Sequence, residues 1–390
     1  MTFAVVLGLS PTGLYVLREL GAAGIPLAGV EDGVQCGRWS RMLSIRPALT
    51  ASFRQLEAQL LDLAARRGER GVLIPTSDSF ISFLAKHGAN LAQAFEFQDS
   101  YRPDAVSRVL DKGAFHDACL AADIAVPQSS HGRPEDLASI GKTLNYPLLL
   151  KPVLIHEVKD WMAGRKAFVC KDQEALETVA SQIPPESGTN WLLQEIVPGP
   201  ESNITLFSGY RDRAGALHQP FTCRKLRQYP AGFGSASLVQ SETLPETLDA
   251  ATRLLDAVGH HGIAGVEFKT DTRDEKLKII EVNPRPSLWF SLSTSAGKFA
   301  SLAAYRDLLG ERLPPEHLQK DGIRWHYFAK DLVSAGFYAY QGSDFILPAP
   351  DTGRQKASGD IGAVFSLQDP FPAVREGLNY LLKAFRRVAR

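Results

Sequence analysis

Two strand-like runs joined by a polar turn hold the most constraining pattern in this chain. Gly265-Val266-Glu267-Phe268-Lys269 and Leu277-Lys278-Ile279-Ile280-Glu281-Val282-Asn283 both alternate, and Thr270 to Lys276 between them reads as a hairpin connection. An antiparallel pair joined this way can hold Glu267 and Glu281 side by side. Asn283 then shares the face of Glu281, because side chains repeat every second residue. Two carboxylates and an amide oxygen on one face are hard oxygen ligands for Mg²⁺, which keeps few protein ligands and takes the rest from water and phosphates. Arg285 continues that face and offers a planar fork for a phosphate or carboxylate. A single acid in such a strand would be read as facing water; the Glu…Glu-x-Asn-x-Arg set points to a metal–phosphate site.

At 390 residues the chain is too long for one ordinary core, so two or three domains are expected. Lys and Arg number 43 and so do Asp and Glu, so no global field favours nucleic acid or an anionic membrane, and any anion site must be local. Cys36, Cys119, Cys170 and Cys223 are widely spaced and form no C-x-x-C pair, which suits reduced cytoplasmic thiols. The first residues enter a strand without a basic leader, and no apolar run approaches the roughly 18–20 residues of a spanning helix. The expectation is a cytoplasmic protein without a transmembrane segment or signal peptide.

The chain opens with an apolar strand, the turn Gly8-Leu-Ser-Pro-Thr-Gly13, a helix, and a strand ending at Glu31-Asp32, a Rossmann-like βαβ unit. G-x-x-x-x-G is looser than the dinucleotide fingerprint, so a nicotinamide dehydrogenase is disfavoured. Gly71 to Pro75 reads as a buried strand ending in Thr76-Ser77-Asp78, either a crevice for a small molecule or a helix cap. Further on come Asp111-Lys112 on a helix, an edge strand at Ile124 to Gln128, and a strand closed by Lys151. A lysine closing a buried strand is unusual, since unpaired Lys is almost never buried.

Lys112, Lys151, the run Gln194-Glu-Ile-Val-Pro-Gly-Pro-Glu201 and the Glu267/Glu281/Asn283/Arg285 set stand in the order and approximate spacing of the ATP-grasp superfamily. The chain resembles its carboxylate–amine ligases, closest in layout to the D-aspartate ligase-like and carbamoyl-phosphate-synthase-like branches, over about residues 1–310. The resemblance implies α/β and α+β architecture. A Rossmann-like pre-ATP-grasp domain (1–103) would precede ATP-grasp subdomain 1 (104–187) and subdomain 2 (188–318, hinge and metal site). A C-terminal extension (319–390) would lie outside the core.

The resemblance further implies that Lys112 and Lys151 contact the α- and β-phosphates of ATP. Gln194, Glu195, Ile196 and Val197 would form the hinge, with the Glu195 carbonyl accepting from the adenine amino group and the Val197 N–H donating to the ring. Glu201 would hold the ribose hydroxyls; alone it would be read as a surface acid. Cys223 to Ser237 is a basic strand followed by a small-residue loop, suited to an anion or to a solvated hairpin. Similar family residues reach the terminal phosphates, which makes Arg224 the candidate and Lys225 and Arg227 the alternates. The family's glycine-rich phosphate loop is replaced by Val153 to Arg165, which puts loop closure in doubt.

The implied function is an ADP-forming ligase using ATP and Mg²⁺ (Mn²⁺ as the alternative) to activate a carboxylate as an acylphosphate and couple it to an amine. Arg285, Arg224 and Lys151 would stabilise the transfer. The rival reading is an ATP-binding protein without ligase turnover. Partners would be the small-molecule carboxylate and amine, with a homodimer entertained and no nucleic acid. The basic amphipathic helix from Val374 to Arg390 is expected to pack on the body with Leu378, Leu381, Leu382 and Phe385, docking on a membrane or partner enzyme being the minority reading.

Overall fold

The computed structural model describes residues 2–31, 33–45, 49–50, 53–103, 105, 112–153, 158–162, 167–184, 189–340, 345–353 and 357–388. Three sheets follow one another along the chain. The first joins β1 (Ala4–Leu7), β2 (Leu27–Glu31), β3 (Leu49–Thr50), β4 (Gly71–Pro75) and β5 (Phe95–Glu96) in the all-parallel order β3-β2-β1-β4-β5. β1 and β4 are buried along their whole length, as apolar runs covered on both faces must be.

The glycine turn after β1 has a packing cause. Gly8 sits at φ 98°, and a Cβ on Gly13 would lie 1.9 Å from the Gly8 carbonyl oxygen. The two glycines let the Pro11–Ala22 helix press against the strand end. The sheet order reverses at β1 and β4, and the Thr76 hydroxyl donates to the Leu7 carbonyl there (2.9 Å), so the crevice at the switch point is bounded by Gly8 and Thr76 to Asp78.

The second sheet, antiparallel, joins β6 (Ser129–Gly132), β7 (Leu148–Pro152), β8 (Phe168–Cys170) and β9 (Trp191–Glu195) in the order β6-β9-β7-β8. The edge strand thus begins at Ser129, not at Ile124. Pro127 has no N–H for a ladder, and Ala125 instead makes an isolated bridge to Lys278. One face of this sheet, with Leu148, Leu150, Trp191 and Leu193, is buried with Leu137 and Leu176 of two covering helices. The other face carries Leu149, Lys151, Gln194 and Ile196.

The third sheet joins β10 (Ile204–Arg211), β11 (Leu217–Tyr229), β12 (Ser235–Ser241), β13 (Gly262–Thr270), β14 (Leu277–Asn283), β15 (Ile323–His326) and β16 (Gly359–Gly362) in the order β14-β13-β10-β11-β12-β15-β16. Strands from beyond residue 319 therefore extend this sheet, and Trp325 of β15 is fully buried. Phe207, Val266 and Phe268 pack beneath Ala251 and Leu254 of the Pro245–Ala257 helix. On the opposite face Leu206, Phe221 and Trp289 share a core with Leu14, Tyr15 and Leu17 of the Pro11–Ala22 helix, joining the first domain to the third sheet.

Of the residues expected to pack, Leu378 of the terminal helix, Phe371–Val388, is exposed, and the side chains of Leu381, Leu382 and Phe385 lie outside the described residues. Phe371, Val374 and Leu378 are exposed, while Arg375 stacks on Trp39 at 4.2 Å and Glu376 accepts from the Tyr327 hydroxyl. A cation over an indole and a hydroxyl–carboxylate bond hold the helix to the body.

Candidate active site

β13 and β14 pair in antiparallel register with Glu267 directly opposite Glu281 and Gly265 opposite Asn283. The hairpin thus sets the two carboxylates side by side, with a bulge immediately after Glu267. Asn283 is buried, whereas Glu281 keeps solvent-exposed surface although its carboxyl stands in a region dense with protein. Burial raises its carboxyl above the usual range and the Glu267 charge raises it further, while Lys225 and Arg285 oppose the shift.

The cation that meets these acids is Lys225. Its ammonium lies 2.6 Å from Glu267 Oε2 and 3.4 Å from Gln228 Oε1, and the residue is 2 % exposed. Register explains the placement. Lys225 lies opposite Ile204, which in turn lies opposite Lys269, so Lys225 shares the face of Lys269 and Glu267. Arg224 lies opposite Thr205 and hence on the face of Phe268, the reverse side of the sheet. There it forms a two-pronged pair with Glu242 (2.7 and 2.9 Å) and donates to the Ser202 carbonyl (3.1 Å). Arg224 is therefore corrected from a phosphate ligand to a structural ion pair.

Glu201 also departs from expectation. It is fully buried, and its carboxylate accepts from the Gln228 N–H (2.9 Å), the Gly232 N–H (2.5 Å) and the Tyr338 hydroxyl (2.7 Å). These protein donors hold the oxygens that a ribose would need. The residue serves as an anchor between the hinge loop, the Tyr229–Ser235 turn and the C-terminal segment.

On the second sheet Lys151 and Gln194 stand together, with 3.4 Å between the ammonium and Gln194 Oε1. The Glu195 N–H donates to Gln128 and the Ile196 N–H to Pro147, both carbonyls. The Glu195 side chain accepts from the backbone and side-chain amides of Asn145 (2.9 and 2.8 Å). Lys269 Nζ donates to the Val197 carbonyl (2.8 Å) and so bridges the hinge to the metal strand; burial pushes its ammonium down to about 8. Leu149 and Ile196 are covered by Leu347, with Phe345 alongside, so the C-terminal segment packs on this face of the second sheet.

Arg285 donates through Nε to Asp78 Oδ1 (2.7 Å), linking the segment after β14 to the switch-point crevice of the first sheet. Lys112 opens the Lys112–Ala121 helix, but its side chain, Asp111 and most of the 153–165 loop lie outside the described residues. Sequence reasoning gave no role to Tyr338 or Lys269, and placed Asp78 in a crevice or a helix cap without its Arg285 contact. Only Lys269 carried a signal, sharing the face of Glu267 two residues away.

Among the described residues no group of three or more His, Cys, Asp or Glu gathers as a metal site. The set here is smaller: two facing carboxylates and an amide, the complement Mg²⁺ keeps. It fits a divalent cation electrostatically, since one lysine leaves the pair short of positive charge and Glu281 raised.

No family model matches the chain. It is 26 % identical over 235 residues to the carbamoyl phosphate synthase large chain, C-terminal section, of Methanopyrus kandleri, a match covering 57 % of this chain and 41 % of that protein. The chain thus spans less than half the length of that curated relative. Its structure is similar to N5-carboxyaminoimidazole ribonucleotide synthetase from Thermus thermophilus (TM-score 0.60, 18 % identity, 81 % of each chain). It is similar too to the biotin carboxylase domain of Hydrogenobacter thermophilus 2-oxoglutarate carboxylase, in complex with MgADP, ADP and bicarbonate (TM-score 0.60, 17 % identity, 83 % of this chain and 73 % of that one). The fold is the ATP-grasp fold, preceded by a Rossmann-like domain.

Proposed function

We propose that the protein is an ATP- and Mg²⁺-dependent, ADP-forming carboxylate–amine ligase. The observation that carries the reading is the Glu267–Glu281 pair with Asn283, set in register beside Lys225 and joined to the hinge through Lys269. The names of its relatives support it: carbamoyl phosphate synthase, a ribonucleotide synthetase and a biotin carboxylase domain. In this reading Glu267, Glu281 and Asn283 hold Mg²⁺, which supplies positive charge against the transferring phosphoryl group.

The hinge Gln194–Val197 borders the adenine, Lys151 and Lys112 meet the phosphates, and the Arg285 fork orients the acid. The acid's oxygen attacks the γ-phosphorus and ADP leaves. The amine then attacks the acyl carbon, phosphate departs, and the nitrogen gives up a proton. The partners are small-molecule carboxylate and amine substrates, and the setting is the cytoplasm, which suits four free, buried cysteines.

The test is incubation with MgATP and a panel of carboxylate–amine pairs. ADP and phosphate are expected in equal amounts only when both substrates are present. The rival reading is an ATP-binding protein without turnover. It would be chosen if nucleotide bound tightly and no pair released ADP.

A further inference from the structure

Eleven of the twenty exposed large apolar side chains among the described residues lie between Phe328 and Tyr380. On the Phe328–Tyr340 helix, Phe328 (77 %), Leu332 (64 %) and Tyr340 (92 %) recur at helical spacing on the outside. On the terminal helix Phe371, Val374 and Leu378 do the same, at 66, 57 and 44 %. Scattered exposed apolar residues need no explanation, but two neighbouring stripes in one region mark a surface that covers something.

The stripes cannot turn inward, because their bases are fixed. Asp369, fully buried just before the terminal helix, accepts from Arg18 Nε (3.0 Å), the Ser40 hydroxyl (2.8 Å) and the Arg41 N–H (3.0 Å). The Tyr327 hydroxyl, at the root of the Phe328–Tyr340 helix, donates to Glu376 and lies 3.5 Å from the Tyr380 hydroxyl, so the two helices meet there.

Charge selects the occupant. In a chain of zero net charge, residues 371–390 carry five basic residues, Arg375, Lys383, Arg386, Arg387 and Arg390, against one acid. That acid, Glu376, is engaged by Tyr327, and Arg375 by Trp39, which leaves Lys383, Arg386, Arg387 and Arg390. A second copy docking through this surface would set like charges against each other, whereas an anionic lipid surface complements both features at once. No helix among the described residues is long and apolar enough to cross a membrane. We propose that the paired C-terminal helices dock this protein on an anionic lipid surface, lying in its plane with the two apolar stripes inserted.

Co-sedimentation of the full chain with vesicles tests this, comparing phosphatidylcholine alone with a mixture containing phosphatidylglycerol. Binding is expected only to the anionic vesicles, weakening with salt. Leu332→Asp and Val374→Asp, both at exposed positions, should each reduce it at least ~10-fold without moving the melting temperature. Arg386→Glu with Arg387→Glu should abolish the salt-sensitive part. Failure to sediment with anionic vesicles at low salt overturns the proposal, as does binding that survives both aspartate substitutions. Concentration-dependent dimerisation lost in the same variants would also overturn it, by assigning the surface to a second copy.

Discussion

The Tyr338 hydroxyl donates to Glu201 Oε1 at 2.7 Å and ties the C-terminal segment to the loop that follows the hinge. The same carboxylate caps two backbone N–H groups, of Gln228 and Gly232, on either side of the Tyr229-Pro230 bond. Burial raises the Glu201 carboxyl, while its three donors and the Lys225 charge hold it down. Glu201 is thus a structural node, and the strand that carries Lys225 is positioned partly through it.

Glu201→Ala should therefore cost stability before it costs nucleotide affinity. Leaving buried donors without an acceptor costs roughly 1–3 kcal/mol per group, so a loss of about 3 kcal/mol is expected, against about 1 kcal/mol for Tyr338→Phe. Urea denaturation measures both. An unchanged midpoint together with weakened nucleotide binding would return Glu201 to the ribose.

Glu281→Gln keeps the shape and removes one charge from the facing pair. Turnover should fall at least ~10²-fold, the effect of deleting one preorganised electrostatic group. The metal-competent form is the carboxylate, and Glu281 is raised by burial and Glu267. Mg²⁺ affinity should weaken as pH falls through that raised value, and the Gln variant should lose this dependence. Calorimetric titration of Mg²⁺ at several pH values, with nucleotide present, decides it. A pH-independent affinity in the native protein would detach Glu281 from the metal.

Local pattern carried the hairpin because its signal is local. Glu267 and Glu281 belong to adjacent strands joined by one turn, so period-two alternation places them together. Arg224 was misplaced because it adjoins Lys225 in one strand, and a one-residue difference puts a side chain on the other face. Glu201 failed for another reason. Its donor Tyr338 lies 137 residues away, and no local signal announces a contact across that separation.

Lys225 and Arg224, adjacent in sequence, should behave in opposite ways. Lys225→Met strips Glu267 of its ion-pair partner, so turnover should be lost, with a stability cost of about 3–5 kcal/mol for stranding a buried charge. Arg224→Gln breaks the Glu242 pair and the Ser202 contact on the reverse face, so kcat should stay within a few-fold while the melting temperature falls. Steady-state ADP release and thermal unfolding on both variants are the measurements. A folded Arg224→Gln protein that has lost ~10²-fold in kcat would contradict the assignment of faces.

Arg285→Lys should fail although it keeps the charge. Arg285 sits between Glu281, whose ionisation it favours, and Asp78 at the mouth of the first domain's crevice, 2.7 Å from its Nε. The Asp78 contact fixes one edge of the guanidinium, so the planar group can hold that domain and still face the cleft. A lysine has one point charge on a flexible stem and cannot do both. MgATP binding should survive, since the hinge and Lys151 do not involve Arg285. The acid should lose affinity at least ~10-fold, and amide formation should drop further because the acid is no longer aligned for attack. Asp78→Asn, at a position 60 % exposed, should show a milder version of the same acid-specific defect. Isothermal titration with a non-hydrolysable ATP analogue, run beside acid-dependent ADP release, separates the two effects. A lysine variant with native acid KM and kcat would show that the fork is unused and that the acid is anchored elsewhere, with Lys225 the nearest remaining cation.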